Sequence, residues 1–325
     1  MPRTGVLITG FGGPDSLNAV APFMCNLMGR EPAPELVARV CARYEAIGGS
    51  SPLVRIAGEL ADGVSAAFIE AGEPMPVEVG MRYWEPYVED GIARLTASGV
   101  QRIVTVALSA YETKVTHGEY RAAVDRALAA RPGVTAVEAP LLSALPVFTE
   151  LHAEAAVRAL AALNAPDAPV IFSAHSLPEA DVADDDAYVR GLEECAERVA
   201  GALGLHVGAP DTAVFPGVVA YGSAAGPRPW LVAYQSKGAR GGEWLGPDID
   251  DVIGAIGAAG NGGVLVVPLG FATDHMETLY DLDIVARARA DAAAVAFARS
   301  DVPNADPRFA AAIAAAIREV LGTTR

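Results

Sequence analysis

Short apolar runs, each too brief for a helix, alternate along this chain with longer segments of helical period. V-L-I-T-G follows Gly5, I-V-T-V-A-L spans 103–108, V-I-F-S-A-H spans 170–175 and V-L-V-V-P-L spans 264–269. Runs this short and rich in β-branched residues read as strands buried on both faces. Helical segments separate them at 17–28, 34–47, 56–71, 87–98 and 119–130, and again at 146–163, 186–203, 249–259, 278–289 and 307–321. Further strands are read at 77–81, 231–235 and 295–298. Strand–helix alternation of this kind predicts an α/β fold with parallel sheets flanked by helices.

The alternation runs twice. V-A-L-S-A-Y at 106–111 and V-I-F-S-A-H at 170–175 both place an aromatic ring directly after Ser-Ala at a strand end. At 325 residues the chain has room for two domains, each with its own core. The expected division is 1–142 and 143–305, two similar α/β domains, with a closing helix at 306–325. The Gly-, Pro- and Ala-rich stretch 207–229 interrupts the pattern and is read as a surface insertion in the second domain, with a flap over a ligand cleft as the alternative.

Composition narrows the function. Net charge is −16 with no basic run, which argues against a nucleic-acid partner. No apolar segment reaches the length needed to span a bilayer, and no secretory leader is read, so a cytoplasmic protein without a membrane anchor is expected. Cys25, Cys41 and Cys195 are scattered, with no C-x-x-C pair, and predict neither a disulfide framework nor a thiolate metal site. The glycines at 10, 12 and 13 fall short of a dinucleotide fingerprint. Gly-x-Ser-x-Gly, the nucleophile elbow, does not occur.

Ligands of open α/β sheets meet the protein just past the carboxyl ends of the strands. His175 ends one such strand, and the strand at 264–267 leads into A-T-D-H-M-E-T-L-Y-D-L-D, which carries Glu277 and Asp281. Imidazole and carboxylate together can ligate a ferrous ion without holding it too tightly and can exchange protons near neutral pH. Asp281, one helical turn beyond Glu277, shares its face, whereas Asp283 lies off it. Asp274-x-x-Glu277 also has the spacing of a capping box, so a purely structural Glu277 stands beside the metal role. His275 is either a supporting partner or exposed; His117, His152 and His206 are expected at the surface.

Six motifs in order resemble one family. They are Y-E-A-I-G-G-S-S-P-L (44–53), R-Y-W-E-P-Y-V-E-D (82–90), S-A-H-S-L-P-E (173–179), W-L-G-P-D (244–248), G-F-A-T-D-H-M-E-T-L-Y-D-L-D (270–283) and P-N-A-D-P-R-F (303–309). Together they resemble the ferrochelatases, from the first strand to the last helix. That resemblance implies two Rossmann-like, chelatase-type domains with a porphyrin cleft between them, and His175 and Glu277 as the pair that handles metal and protons. It adds Asp281 to the metal path, and it implies that Phe11, Arg43, Tyr44, Ser51, Tyr111 and Tyr120 line the porphyrin site. Arginine suits a propionate because its planar fork matches the two oxygens.

This sequence departs from the family at several of these places. Phe11 stands where many relatives have a tyrosine able to ligate iron, and Tyr111 where many have histidine. Leu27-Met28-Gly29-Arg30 lacks a basic residue before the glycine, and Val285 replaces an acid beyond Asp281. The resemblance favours the coproporphyrin III branch, with protoporphyrin IX as the alternative substrate. A non-catalytic porphyrin- or haem-binding homologue and a cobalt or nickel chelatase of another tetrapyrrole are the rival functions. Porphyrin and ferrous iron are the expected partners of a monomer, with no cofactor beyond the iron and no iron–sulfur cluster.

Overall fold

The computed structural model describes residues 3–182, 186–205, 207, 210–215, 218–222, 228–238 and 241–323. The chain divides into two compact units: Met1–Val147 with Ala272–Met276 and Pro303–Arg325, and Phe148–Phe271 with Glu277–Val302. Both the 272–276 segment and the closing helix, which the sequence division put elsewhere, are therefore counted with the first unit.

The first unit holds a four-stranded parallel sheet of β1 (Thr4–Gly10), β2 (Val77–Met81), β3 (Arg102–Ala107) and β4 (Thr135–Glu138), ordered β2-β1-β3-β4. Its helices are α1 (Val20–Met28), α2 (Pro34–Ala46), α3 (Leu53–Glu70), α4 (Val88–Ala97) and α5 (Glu119–Ala129). Leu7 and Ile103 of the sheet pack with Ile92, Leu95, Val124 and Ala127 of the covering helices. The edge strand β4 carries only Thr135, Ala136, Val137 and Glu138. Three of its four residues are exposed, so it lacks the apolar run by which strands are read in sequence, and it was missed there.

The second unit begins with α6 (Pro146–Leu163), whose first two residues belong to the first unit. There follow β5 (Val170–His175), α7 (Ala187–Ala202), β6 (Pro210–Phe215), β7 (Val218–Tyr221), β8 (Trp230–Gln235) and α8 (Ile249–Ala258). β9 (Gly263–Val267), a π-helix (Glu277–Ala286), α9 (Arg287–Ala292) and β10 (Ala296–Arg299) complete it. α10 (Pro307–Thr323) then packs on α3 in the first unit, where Gly63 leaves room for Ala310.

The second sheet runs β10-β9-β5-β8-β7-β6, parallel as far as β8 and antiparallel beyond it. The stretch 207–229 is thus no mere surface insertion: its described residues include the hairpin β6–β7, which extends the sheet. Phe215, Val218 and Ala220 of that hairpin are buried in the core, which is why it stays on the sheet. Short β-branched pieces between glycines and prolines hid it in the sequence.

Burial of β5 explains its position. Val170, Ile171, Phe172, Ser173 and Ala174 are all buried between β8 and β9, and only His175 emerges. Leu282 and Ala286 of the π-helix are fully buried against Ile171, Leu231, Val264 and Ile253, fixing that helix to the same sheet. Each leucine so buried contributes about 1.5–3 kcal/mol.

Gly270 touches β5 just before His175: a Cβ there would lie 2.6 Å from Ala174 Cβ and 2.7 Å from Ala174 Cα. Backbone cannot step aside as a long side chain can. Gly270→Ala is expected to destabilise the protein by about 1–3 kcal/mol, read as a lower urea midpoint at unchanged slope.

Candidate functional site

His175 and Gln235 are the last register pair of β5 with β8, so two polar side chains stand together at the carboxyl ends of adjacent strands. The ring of His175 is oriented on one side by the main chain: Nδ1 lies 2.5 Å from the carbonyl oxygen of Ser176. A carbonyl only accepts, so Nδ1 carries its proton, and Nε2 is the nitrogen whose state can change. Nε2 faces Glu277 Oε1 at 3.4 Å, with both side chains one-third exposed. Tyr188, buried at the start of α7, donates its hydroxyl to the His175 carbonyl at 2.7 Å and holds the strand end in place. Burial keeps the Tyr188 hydroxyl protonated far above its ordinary pKa.

The electrostatics of His175 are a contest. Burial pulls the imidazole pKa down, but the charge and hydrogen bond of Glu277 push it up, helped by the Ser176 carbonyl and the charge of Asp281. The upward causes win, and the pKa rises from 6.5 to about 9. At neutral pH the pair is imidazolium facing carboxylate.

Glu277 opens the π-helix, a rare geometry that often marks functional sites. Where the sequence predicts an ordinary helix over 278–289, the wider turn runs to Ala286 and only then tightens into α9. Gln235 Nε2 donates to the Glu277 carbonyl at 2.7 Å, and Ser236 Oγ donates to Asp281 Oδ2 at 2.5 Å. Asp281 adds its charge to the site; among the described residues no group of three or more His, Cys, Asp or Glu is placed to hold a metal ion. Asp283 turns away to a bidentate pair with Arg299 at 2.7 and 2.9 Å. Asp274 forms a reciprocal pair with Asn304, its backbone N–H donating to Oδ1 and its Oδ2 accepting from Nδ2.

The first unit gathers part of the expected porphyrin set. Phe11, Tyr44 and Met276 pack in one cluster with Phe23, Tyr83 and Trp84. The Phe11 ring centroid lies 4.7 Å from that of Tyr83 and 6.3 Å from that of Phe23. A Cβ on Gly13 would meet Ser51 Oγ at 2.5 Å, so the loop after β1 closes tightly on that hydroxyl, with Tyr44 Oη at ordinary contact distance, 4.0 Å. Arg43 ends α2 beside Tyr44, half-buried. Tyr111 is buried, and Tyr120 is buried in α5 on the wall of a separate cavity of about 240 Å³ lined also by Thr9, Thr105, His117 and Glu138.

Three histidines were expected at the surface. His117 and His152 are instead buried, the latter stacked edge-on against Phe148. Burial lowers both pKa values, that of His152 to about 3, so both are neutral core groups. His206 lies outside the described residues. Sequence reasoning missed Gln235 and Ser236 as parts of the site; the signal available was their position at a strand end, the same one that marked His175.

The ferrochelatase family pattern matches residues 3–321. The chain belongs to the ferrochelatase family. Such an enzyme inserts a metal ion into a porphyrin and serves haem biosynthesis, with porphyrin and iron as substrates. It is 33% identical to a ferrochelatase from Herpetosiphon aurantiacus, across 94% of this chain and 95% of that one. It is 34% identical to a coproporphyrin III ferrochelatase from Streptomyces coelicolor, across 100% of this chain and 87% of that one. Among solved structures it resembles SirB from Bacillus subtilis with Fe3+, at a TM-score of 0.54 and 12% identity over 99% of this chain and 97% of that one. That last likeness speaks to the fold alone: α/β, chelatase-type. No helix among the described residues of this ferrochelatase is long and apolar enough to cross a membrane.

A raised imidazole pKa has a definite linkage. The His175–Glu277 pair stabilises the fold fully below pH 6.5 and loses that contribution as pH rises through about 9. NMR titration should place His175 near 9 in the wild type and about 1–3 units lower in Glu277→Gln. The difference in Tm between the two proteins should shrink across the same window.

Proposed function

We propose that this ferrochelatase inserts ferrous iron into coproporphyrin III, with His175 and Glu277 handling metal and protons. The observation that carries the reading is the 3.4 Å approach of His175 Nε2 to Glu277 Oε1, at the carboxyl end of β5 and the first turn of the π-helix. The name of the Streptomyces coelicolor relative favours coproporphyrin III.

Insertion exchanges two pyrrole protons for one dication. The resting pair already holds a proton, and an imidazolium cannot accept another. An approaching ferrous ion repels that proton, lowering the histidine pKa as any like charge does. The exposed third of each side chain gives the proton a way to solvent. Nε2 is then free to take a pyrrole proton or to meet the iron, while Nδ1 stays anchored on the Ser176 carbonyl. Glu277 passes protons outward. Two donors suit an ion in transit, since a closed set of protein ligands would compete with the macrocycle.

Arg43, Tyr44, Ser51 and Tyr120 are assigned to the porphyrin carboxylates, and Phe11 and Tyr111 to its ring surface. With phenylalanine at 11, no axial ligand to product iron comes from that side chain. We assign the enzyme to the cytoplasm as a monomer, with no iron–sulfur cluster and no cofactor beyond its ferrous substrate.

Anaerobic assays of the purified protein should show iron or zinc entering coproporphyrin III, followed by loss of the free-base spectrum. His175→Ala should lower kcat by about 10²–10⁴-fold, the usual worth of a positioned acid–base group; wild-type turnover in that variant refutes the role. Faster metallation of protoporphyrin IX at equal concentration reverses the substrate assignment. Tight porphyrin binding with no metallation over hours marks a binding protein instead.

A further inference from the structure

We propose that Gln235 is a positioning residue for metal insertion, holding the Glu277 end of the π-helix at its working distance from His175. The proposal rests on the reading of His175 and Glu277 given above and adds a residue to it.

Gln235 is 2% exposed and closes β8 directly opposite His175 in the register. Its Nε2 reaches across to the carbonyl of Glu277 at 2.7 Å. Because that carbonyl can only accept, the amide nitrogen must face it, and the orientation of the side chain is settled. Oε1 is left buried with no hydrogen-bond partner. Folds rarely leave such an atom, since it loses its hydration and gains nothing in return. An apolar side chain of the same shape would fill the space without that penalty. What glutamine adds is the one donor aimed at Glu277.

Ser236 supports the same function from the next position. Successive side chains of a strand leave opposite faces, yet Gln235 and Ser236 both reach the π-helix, one at residue 277 and the other at residue 281. The chain manages this because Ser236 takes φ +62°, a left-handed conformation unusual for a residue other than glycine. The strand end is bent so that two consecutive donors grip one helix a turn apart. Thr278, Leu282 and Ala286 are buried along the helix, whereas Glu277 at its first position is one-third exposed, and the Gln235 donor holds that position. A shift of about 1 Å in a reacting group can cost on the order of 100-fold in rate.

The test uses the full-length enzyme, coproporphyrin III and Zn2+. Gln235→Met keeps the volume and loses the donor; Gln235→Leu loses it too, with a shorter apolar side chain. Both should lower kcat about 10–100-fold, with KM for the porphyrin within about twofold of wild type and full porphyrin binding per mole of protein. In a Glu277→Gln background, Gln235→Met should cost no more than about another twofold, because a residue acting through Glu277 has nothing left to act on. Wild-type kcat in either folded single variant overturns the proposal, as does a loss that multiplies with that of Glu277→Gln. So does a loss that merely follows the fraction of protein able to bind porphyrin, since that marks a structural residue. If wild type metallates and Glu277→Gln is impaired while both Gln235 variants are normal, this inference alone fails. A wild type that leaves the porphyrin unmetallated removes the functional reading as well.

Discussion

The parallel pairing of β5 with β8 decides where the chemistry can be. It carries two side chains, His175 and Gln235, to the same level at the edge of the sheet, one aimed at the Glu277 carboxylate and the other at the Glu277 carbonyl. Everything upstream in β5 is buried, so the strand has no freedom to slide: a register slip of one residue would bury the imidazole in one direction or expose Ala174 in the other. The precision of the site is therefore inherited from the packing of Val170, Ile171 and Phe172 beneath it.

Within that frame, the histidine is held at three points: Tyr188 on its own carbonyl, the Ser176 carbonyl on Nδ1, and Glu277 at Nε2. Only the third can change without disturbing the strand. A group with one movable proton, facing a carboxylate and in contact with solvent, is suited to trade that proton for a cation. The π-helix contributes by placing Glu277 and Asp281 over the ends of β5 and β8, while Ser236 keeps Asp281 engaged. The acidic charge stays near the imidazole.

Much of this was legible in the residues. The strand–helix alternation gave the α/β class, and strand ends marked His175, because ligands of open α/β sheets meet the protein there, although a lone histidine in that place is more often a hydrogen-bonded core residue. Phe11, Tyr44 and Ser51 were named from resemblance; in the first unit Phe11 and Tyr44 share one cluster and Ser51 lies against Gly13. What escaped did so for physical reasons. β4 has no apolar run, and the β6–β7 hairpin takes its stability from a sheet built by residues distant in sequence. His117 and His152 look like surface residues by type alone, and only their surroundings make them neutral and buried.

The sequence by itself determined the fold class, the family and the identity of the imidazole and carboxylate, because these depend on residue type, local period and motif order. The tertiary structure alone decided that the two groups stand 3.4 Å apart, that Asp281 turns to Ser236, and that Gln235 reaches the first turn of a π-helix. Those outcomes depend on strand register, on a left-handed serine and on a helix wound wider than usual, each fixed by packing among distant residues, and no local pattern in the chain encodes them.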